Sequence, residues 1–311
     1  MLLRVRAAGI CRTDIHLIRN YRRDLEHPVI LGHEIAGEVV NIGGDSEVLK
    51  PGQIVLANHK LVCGACRPCL HGREALCTKS RVLGIDLDGG FAEYVKTNAS
   101  RVLPLPPSVS SAAGAALTCG GVTAYHALRS VARIEPYEVV LVLGTGGVGL
   151  FAVQIAKNIG AEVIAADVRP DALRKAERLG ASRAVHVDAS NPASLAEAIG
   201  SDAVDVVVDL VGNPEIANSL PPTLRPAGRY VVTSGGLEDR LSTSPFLLFR
   251  RELEIKGSRG SSFDELKEVV NLAAQGSLDS SIACQAPLED GLRLLKEVER
   301  GEVVGRAVLV P

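Results

Sequence analysis

The sequence of 311 residues has no tryptophan, a single methionine, and only five phenylalanines and five tyrosines. Its basic and acidic residues nearly balance, 34 against 36, so no block of positive charge is available to follow a nucleic acid or an anionic lipid surface. No stretch approaches the about 18 uninterrupted apolar residues that a membrane helix needs. These absences argue against nucleic-acid and membrane partners, and we expect a cytoplasmic protein.

The composition permits a large folded protein. With 46% apolar residues, the chain can bury a sizeable core, and a typical domain length of about 150 residues favours two domains. Seven cysteines are present, four of them between positions 63 and 77. In a chain of this size, such a cluster favours a metal site in a reducing compartment over the disulfide framework of a small secreted protein.

The second half of the sequence has the pattern of a parallel sheet. From position 138 onward, short runs of β-branched residues alternate with segments whose apolar residues recur at helical spacing. This alternation predicts a doubly wound α/β domain of the Rossmann type with six parallel strands. The predicted strands are residues 138–143, 162–167, 183–187, 205–210, 228–233 and 253–257, and the predicted helices between them include 148–159 and 171–179.

The first part of the chain, about 110 residues, has a different pattern. Glycine- and proline-rich turns separate short strands, predicted at 35–42 and 53–57, which indicates an irregular β domain. After the sheet, we predict helices at 264–274 and 289–300 and a closing strand at 306–310 that returns to the β domain. The predicted domains are residues 1–120 together with 261–311, and residues 121–260.

A glycine-rich loop lies between the first predicted strand of the sheet and the helix that follows it. The segment Gly-Thr-Gly-Gly-Val-Gly begins at position 144 and fits the pattern G-x-G-x-x-G. Gly144 permits a tight turn, Gly146 lets the backbone approach a pyrophosphate, and Gly149 lets helix and strand pack closely. The start of the helix then presents unpaired N–H groups to the phosphates. The predicted contacts are Gly144, Gly146, Gly147, Val148 and Gly149.

The second predicted strand ends at Asp167, at the distance from the glycine loop that a ribose-binding carboxylate requires. This carboxylate can accept hydrogen bonds from both hydroxyls of an adenosine ribose, whereas it would repel a 2′-phosphate. Arg169, two residues later, could accommodate such a phosphate. The carboxylate outweighs it, and the sequence favours NAD over NADP.

The cysteine cluster consists of Cys63, Cys66, Cys69 and Cys77, with glycine and proline between them. Four thiolates can close a tetrahedral zinc shell with bonds of about 2.3 Å and no open position, which predicts a structural zinc site. From spacing alone, an iron–sulfur cluster is the main alternative, followed by disulfides. Two nearby histidines, His59 and His71, are interpreted as surface residues, because the four thiolates already complete the shell.

Three further segments contain potential metal ligands: Cys-Arg-Thr-Asp-Ile-His from position 11, Gly-His-Glu from position 32, and Leu-Thr-Cys-Gly-Gly from position 117. Each alone is weak evidence, because lone cysteines and histidines are more often core or surface groups. Together with the glycine loop and the cysteine quartet, they resemble the zinc-containing medium-chain alcohol dehydrogenases, in the same order along the chain. The resemblance extends to the tail Gly-Glu-Val-Val-Gly-Arg that begins at position 301.

The resemblance implies a GroES-like catalytic domain beside the Rossmann domain, and two zinc ions per chain. Cys11, His33 and Cys119 match the three protein ligands of the catalytic zinc, whose fourth position is open. Glu34 matches the acidic neighbour that approaches the metal during ligand exchange. Asp14 matches the carboxylate that orients the ligand histidine.

The same comparison implies roles for the remaining site residues. Thr13 and His16 match a relay that takes the proton of a zinc-activated alcohol and passes it to water. Arg12 and Arg306 match donors to the cofactor pyrophosphate, while Thr123 and Val148 match residues that pack against the nicotinamide. The activity implied is that of an NAD-dependent alcohol dehydrogenase, EC 1.1.1.- with 1.1.1.1 favoured, acting on an alcohol or, in reverse, an aldehyde or ketone.

The sequence departs from the family pattern at two places. Relatives usually carry a β-hairpin and a connecting strand ahead of the first ligand, which here stands at position 11, so we expect that about 25 to 35 residues are missing and that the natural start lies upstream. The other departure is Ala172, where NAD-using relatives often have a lysine near the ribose.

Other functions share these motifs. A polyol, sugar or amino-alcohol dehydrogenase of the same family is the first alternative, and the scarcity of aromatic residues predicts an aliphatic substrate pocket. A truncated dinucleotide-binding relative without catalysis is the second, and the retained metal-ligand residues argue against it. Quinone reductases of this scaffold lack both sets of zinc ligands. From the relatives we expect a homodimer or homotetramer, paired through the edge strand predicted at 253–257.

Overall fold

The computed structural model describes residues 1–19, 28–43 and 49–311. They form two compact units: Met1–Val122 with Gly260–Pro311, and Thr123–Arg259. Among the described residues, no helix has the length and apolar character required to cross a membrane.

The strands are β1 (Leu2–Gly9), β2 (Glu34–Asn41), β3 (Ile54–Ala57), β4 (Lys60–Leu61), β5 (Arg81–Val82), β6 (Tyr94–Lys96), β7 (Val102–Pro104), β8 (Val139–Leu143), β9 (Glu162–Asp167), β10 (Arg183–His186), β11 (Val204–Asp209), β12 (Leu224–Val232), β13 (Glu254–Gly257), β14 (Ile282–Pro287) and β15 (Arg306–Val310). The α-helices are α1 (Arg12–Ile18), α2 (Arg67–Leu70), α3 (Ser111–Ala116), α4 (Val122–Tyr125), α5 (Gly149–Ile159), α6 (Pro170–Leu179), α7 (Ser194–Ile199), α8 (Pro214–Ser219), α9 (Pro245–Arg251), α10 (Phe263–Ala274) and α11 (Gly291–Glu299). Two π-helical segments flank α4, Leu117–Gly121 and His126–Ala132.

The first unit is built on a mixed sheet with the order β14-β15-β1-β2-β3-β7, and β6 also pairs with β1. Along β1, buried Leu3 and Val5 alternate with exposed Leu2, Arg4 and Arg6, as expected for a strand with one face against a core. Strand β1 ends at Gly9, opposite Glu34, and the chain turns there into α1. The sheet therefore brings the segments around positions 11 and 33 next to each other.

The second unit is a six-stranded parallel sheet with the order β10-β9-β8-β11-β12-β13. All five residues of β8 are buried, as expected for a central strand covered by helices on both faces. The order reverses beside β8, where the chain leaves to one side for β9 and β10 and to the other for β11 to β13. This is the doubly wound arrangement predicted from the sequence, and the fold-class prediction is confirmed.

The largest difference from the predicted strands concerns β12, which begins at Leu224 rather than at 228. The sequence Arg-Pro-Ala-Gly from position 225 has the composition of a turn, and Ala227 does adopt a left-handed φ of 61°. Yet Leu224 is buried and pairs with Val204 of β11, with an irregularity in register before the next pair. The pairing therefore continues past a local turn signal.

A second difference concerns the helix predicted at 289–300. The structure has a short 3₁₀ turn there, followed by α11.

A buried carboxylate at the end of β11 holds the turn that follows. Asp209 Oδ1 accepts the backbone N–H groups of Val211 and Gly212 at 2.9 and 2.8 Å, and its Oδ2 accepts the hydroxyl of buried Tyr230 at 2.8 Å. The turn packs against the glycine loop, because a Cβ added to Gly144 would lie 2.7 Å from Val211 Cγ2. Asp209 thus supports the loop from behind.

Among the described residues, Tyr230 is the only hydrogen-bond donor to Asp209 Oδ2, so replacing it by phenylalanine leaves this buried oxygen unpaired. We expect the free energy of unfolding of Tyr230→Phe to fall by about 1–3 kcal/mol, measured by urea denaturation followed by circular dichroism. The matched control is Tyr137→Phe, since Tyr137 is 92% exposed. Equal stability of the two variants would show that the Asp209 contact contributes nothing.

Candidate metal centres and cofactor loop

The four clustered cysteines meet in the loop between β4 and β5. The Sγ atom of Cys66 lies 3.4 Å from that of Cys69 and 3.8 Å from that of Cys77, and Cys77 Sγ lies 3.6 Å from Cys63 Sγ. Tetrahedral zinc with bonds of about 2.3 Å places its sulfur ligands about 3.8 Å apart. A disulfide needs about 2.05 Å and a multi-iron cluster a wider spread of thiolates, so a single tetrahedral ion fits this geometry best.

Backbone N–H groups point at these sulfur atoms. Cys63 N donates to Cys77 Sγ and Cys66 N to Cys63 Sγ, both at 3.4 Å. The N–H groups of Cys69 and Thr78 lower the pKa of Cys66 to about 6, whereas burial raises the pKa of Cys69 to about 12. The cluster thus already stabilises a thiolate, the form of cysteine that binds a metal.

The loop that carries these cysteines is tied to α10. Arg101 donates to both carboxylate oxygens of Glu74, at 3.0 and 2.7 Å, and the same Glu74 accepts the backbone N–H of Phe263 at 2.9 Å. The guanidinium lies 4.9 Å from the centre of the Phe263 ring. Buried Lys60 donates to the carbonyl of Ala75 at 2.5 Å. These contacts fix the part of the loop at Glu74 and Ala75 on the first unit.

A second set of potential ligands lies at the sheet of the first unit. The side chains of Cys11, His33, Glu34 and Cys119 each offer an atom within 4.8 Å of the others. Cys11 caps α1, His33 directly precedes β2, and Cys119 lies in the π-helical segment Leu117–Gly121. Such π segments are often found at functional sites. Cysteine and histidine are preferred ligands of zinc, so the donor set fits this metal.

Asp14 connects the parts of this set. Its Oδ2 accepts the backbone N–H of Cys11 at 2.9 Å, and its Oδ1 lies 3.3 Å from both Gly32 N and His33 Nδ1. The carboxylate is completely buried. With Nδ1 directed towards the Asp14 carboxylate, the other ring nitrogen, Nε2, is left to bind a cation. Although burial opposes it, Asp14 raises the pKa of His33 well above its ordinary value.

A hydrogen bond couples the two thiols of the set. A hydrogen bond with Cys119 holds the pKa of Cys11 well below its usual range, and the same bond raises the pKa of Cys119 well above it. Cys11 is therefore ready to act as a thiolate. Two thiolates and one neutral imidazole would balance the charge of a divalent metal.

Close glycine contacts position His33. Gly32, with a φ of 92°, lies against the segment around Gly84 and Gly89, where an added Cβ at Gly89 would lie 2.2 Å from the carbonyl oxygen of Gly32. Gly90 N donates to the same carbonyl at 2.7 Å. Any side chain at Gly89 would displace the backbone next to His33. No local sequence pattern marks these glycines, because their partners lie about 50 positions away along the chain.

Glu34 is held by a buried ion pair. Arg306 Nη2 pairs with Glu34 Oε2 and lies 3.3 Å from the carbonyl oxygen of Ile10. Gly9 leaves room for the carboxylate, since a Cβ there would lie 2.0 Å from Glu34 Oε2. Burial raises the pKa of Glu34 to about 7 although Arg306 opposes it. Glu34 Oε1 is buried and has no hydrogen-bond partner among the described residues, and Glu34 is one of the residues that could offer an oxygen to a metal.

The predicted relay residues lie on α1. Thr13 is half-buried, with its hydroxyl oxygen 3.6 Å from Cys11 Sγ. His16, one turn further along α1, is exposed, as is Arg12 at the start of the helix. The helix thus carries a half-buried hydroxyl beside the ligand set and, one turn later, an exposed histidine.

His59 corrects the sequence interpretation, which made it a surface residue. It is half-buried, its Nδ1 lies 3.1 Å from the carbonyl oxygen of Thr118, and its ring centre is 5.6 Å from that of His33 at an interplanar angle of 67°. Burial, and next the charge of His33, lower the pKa of His59 to about 3, so the ring is neutral. His71 is exposed, as expected.

The glycine loop joins β8 to α5 in the second unit. Gly144 has a φ of 90°, and a Cβ at Gly149 would lie 1.8 Å from the carbonyl oxygen of Gly144, so this turn requires glycine at both positions. Asp167, at the end of β9, accepts the N–H of Thr145 at 2.7 Å and the N–H of Arg169 at 2.9 Å. The carboxylate thus lies at the base of the loop. Gly146, Gly147, Val148 and Thr123 are half-buried in the same unit.

Comparison with known proteins agrees with this geometry. Residues 1–107 match the alcohol dehydrogenase GroES-like domain, and residues 147–275 match the zinc-binding dehydrogenase domain. The chain is 33% identical to the NAD-dependent alcohol dehydrogenase of Saccharolobus solfataricus, and the alignment covers 100% of this chain and 92% of that relative. The relative of the same name from Sulfurisphaera tokodaii is 34% identical with the same coverage.

Solved structures give the same result. The alcohol dehydrogenase from the hyperthermophilic archaeon Aeropyrum pernix superposes with a TM-score of 0.89 at 33% identity, covering 100% of this chain and 92% of that chain. The alcohol dehydrogenase from Pyrobaculum aerophilum, whose structure contains cobalt and zinc, gives a TM-score of 0.89 at 28% identity and covers 100% and 91%. With both domains matched and full-length relatives above 30% identity, the chain belongs to the zinc-containing medium-chain alcohol dehydrogenase family.

Proposed function

We propose that the protein is a zinc-dependent oxidoreductase that transfers hydride between NAD and a primary or secondary alcohol, or an aldehyde or ketone in reverse. The observation that carries this proposal is the convergence of Cys11, His33 and Cys119 on one point, with Glu34 beside them. Three protein ligands leave one position for a substrate oxygen, as in catalytic zinc sites. The cysteine quartet, with four ligands, is closed and is proposed as a structural zinc site.

The protein's own groups prepare the site. When bound, zinc supplies Lewis acidity, which lowers the pKa of an alcohol hydroxyl. Asp14 contacts the ring of His33 and the backbone of Cys11, so that these two ligands are oriented for a metal before it binds. One oxygen of Glu34 is paired with Arg306. The other oxygen could contact the metal while a substrate or water ligand is exchanged.

The alcohol proton needs a route out of the buried site. Thr13 is half-buried beside Cys11, and its hydroxyl can accept the proton while donating its own. His16, exposed one turn further along α1, then passes the proton to water. Removal of this proton is required because hydride leaves most readily from the deprotonated alcohol.

The second unit is proposed to bind NAD. The glycine loop and the start of α5 provide backbone N–H groups for the pyrophosphate, and Asp167 accepts the ribose hydroxyls. Its charge disfavours the 2′-phosphate of NADP. The further contacts proposed from the family are Arg12, Arg306, Thr123 and Val148; for Arg306, the pyrophosphate would compete with Glu34.

We also propose a cytoplasmic homodimer or homotetramer. Seven free cysteines suit a reducing compartment. Strand β13 is the edge of its sheet, and the preceding helix α9 exposes Phe246 and Phe249 by 64% and 69%. Pairing of two copies along β13 would cover both features.

The direct test removes one ligand. In protein of assayed zinc content, we expect Cys119→Ala to lower kcat/KM for alcohol oxidation, followed as NADH absorbance, by at least about a hundredfold, because the substrate oxygen loses its activating metal. The control is Cys284→Ala, which removes a half-buried cysteine outside both ligand sets and should leave the rate unchanged. Full activity of the Cys119 variant would refute the proposed site.

The buried ion pair gives a second prediction. At about pH 9, above the pKa of about 7 that Glu34 has beside Arg306, the variant Arg306→Met leaves the Glu34 carboxylate without its cation, and we expect a loss of about 3–5 kcal/mol in the free energy of unfolding. The double variant Glu34→Gln/Arg306→Met removes both charges and should recover most of this loss. Denaturant unfolding of the metal-free proteins measures both. A single variant no less stable than the double would show that Glu34 is not held by Arg306.

A further inference from the structure

The polar groups around the catalytic set differ in their access to solvent. Asp14, Glu34 and Arg306 are buried. Asp14 contacts His33, and Glu34 pairs with Arg306, so these three side chains are not accessible to a substrate. Thr13 and His59 are half-buried. Of these five polar side chains, Thr13 and His59 are the two that remain partly open to solvent and hence to a substrate. Thr13 is occupied by the proposed proton route, and His59 has no role in the mechanism described so far.

His59 is anchored in one orientation. Its Nδ1 lies 3.1 Å from the carbonyl oxygen of Thr118, the residue before Cys119, and its ring packs edge-on against that of His33. A carbonyl oxygen can only accept, so Nδ1 carries the hydrogen. In the neutral ring, Nε2 is then a hydrogen-bond acceptor. Among the described residues, Nε2 has no hydrogen-bond partner.

We propose that His59 is a specificity-determining residue that accepts a hydrogen bond from a second hydroxyl of the substrate, and that the preferred substrates are vicinal diols. The proposal rests on the proposed dehydrogenase function. His59 touches the ring of one ligand and bonds the residue next to another, which places it beside the reacting oxygen. A hydroxyl on the carbon next to the reacting carbon is a group that could donate to Nε2.

A simple alcohol satisfies this site less well. Its carbon chain would exclude water from Nε2 and leave this acceptor without a donor. Sites that bind a substrate hydroxyl reject analogues without that hydroxyl for this reason. In the reaction, one C–H bond of the diol breaks, its electron pair reduces NAD, and the hydroxyl proton leaves through Thr13. The product is a hydroxyketone or hydroxyaldehyde, and the hydroxyl held by His59 is unchanged.

The test compares two substrates in matched variants. Butane-2,3-diol and butan-2-ol share a carbon skeleton and differ by one hydroxyl, so the ratio of their kcat/KM values isolates the contact. We expect His59→Phe, which keeps an aromatic ring against His33, to lower the diol-to-alcohol ratio about tenfold. His59→Leu removes the acceptor in a second way and should give the same fall, in case the phenylalanine disturbs folding.

His59→Gln is the conservative variant. Its amide can donate to the Thr118 carbonyl and still accept from the substrate, so the ratio should return to within about threefold of the wild-type value. His71→Phe makes the same change at an exposed histidine and should alter neither rate.

The outcomes distinguish failure of the diol proposal from failure of the proposed dehydrogenase function. A ratio unchanged by His59→Phe and His59→Leu, with both rates reduced alike, would mean that His59 only supports packing, and would overturn the diol proposal while leaving the dehydrogenase function intact. If zinc-loaded wild type reduces NAD with neither these nor other alcohols, the proposed function fails and the diol proposal falls with it.

Discussion

The buried carboxylate of Asp14 is the interaction on which the site depends. It accepts hydrogen bonds from Cys11 N at the start of α1 and from Gly32 N in the turn before β2, and it lies 3.3 Å from His33 Nδ1. The same carboxylate therefore positions two ligands, Cys11 and His33, that come from distant segments of the chain. The cost of burying a charge is offset because each of its oxygens has a donor. Without the Asp14 carboxylate, Cys11 and His33 would still lie near each other, but the orientation of their side chains would not be fixed.

Charge balance explains the composition of the rest of the site. Glu34 and Arg306 form a neutral buried pair, and two thiolates would neutralise a divalent zinc ion. Each buried charge therefore has a counterpart. In the other unit, the buried carboxylates of Asp209 and Asp167 are instead stabilised by hydrogen bonds from backbone N–H groups and hydroxyls around the glycine loop. The arrangement of buried carboxylates and their donors thus links the fold to the proposed chemistry.

The sequence predicted the features that depend on local pattern. Strand β9 was predicted to the residue and β8 to within one residue, because their apolar runs and flanking loops are continuous in the chain. The contacts of His59 with His33 and Thr118, and the packing of Gly89 on Gly32, join residues that are far apart in sequence, and no local pattern announces them. The early start of β12 shows the same limit, since tertiary pairing overrode a turn composition.

The most direct test of this account is the anomalous diffraction of zinc in crystals of the zinc-loaded protein. It predicts two peaks per chain, one at about 2.0–2.3 Å from Cys11 Sγ, His33 Nε2 and Cys119 Sγ, and one at about 2.3 Å from the four clustered sulfur atoms. A peak only at the cysteine quartet, or one in the first set that does not contact His33, would contradict the claim that Asp14 organises a catalytic metal site.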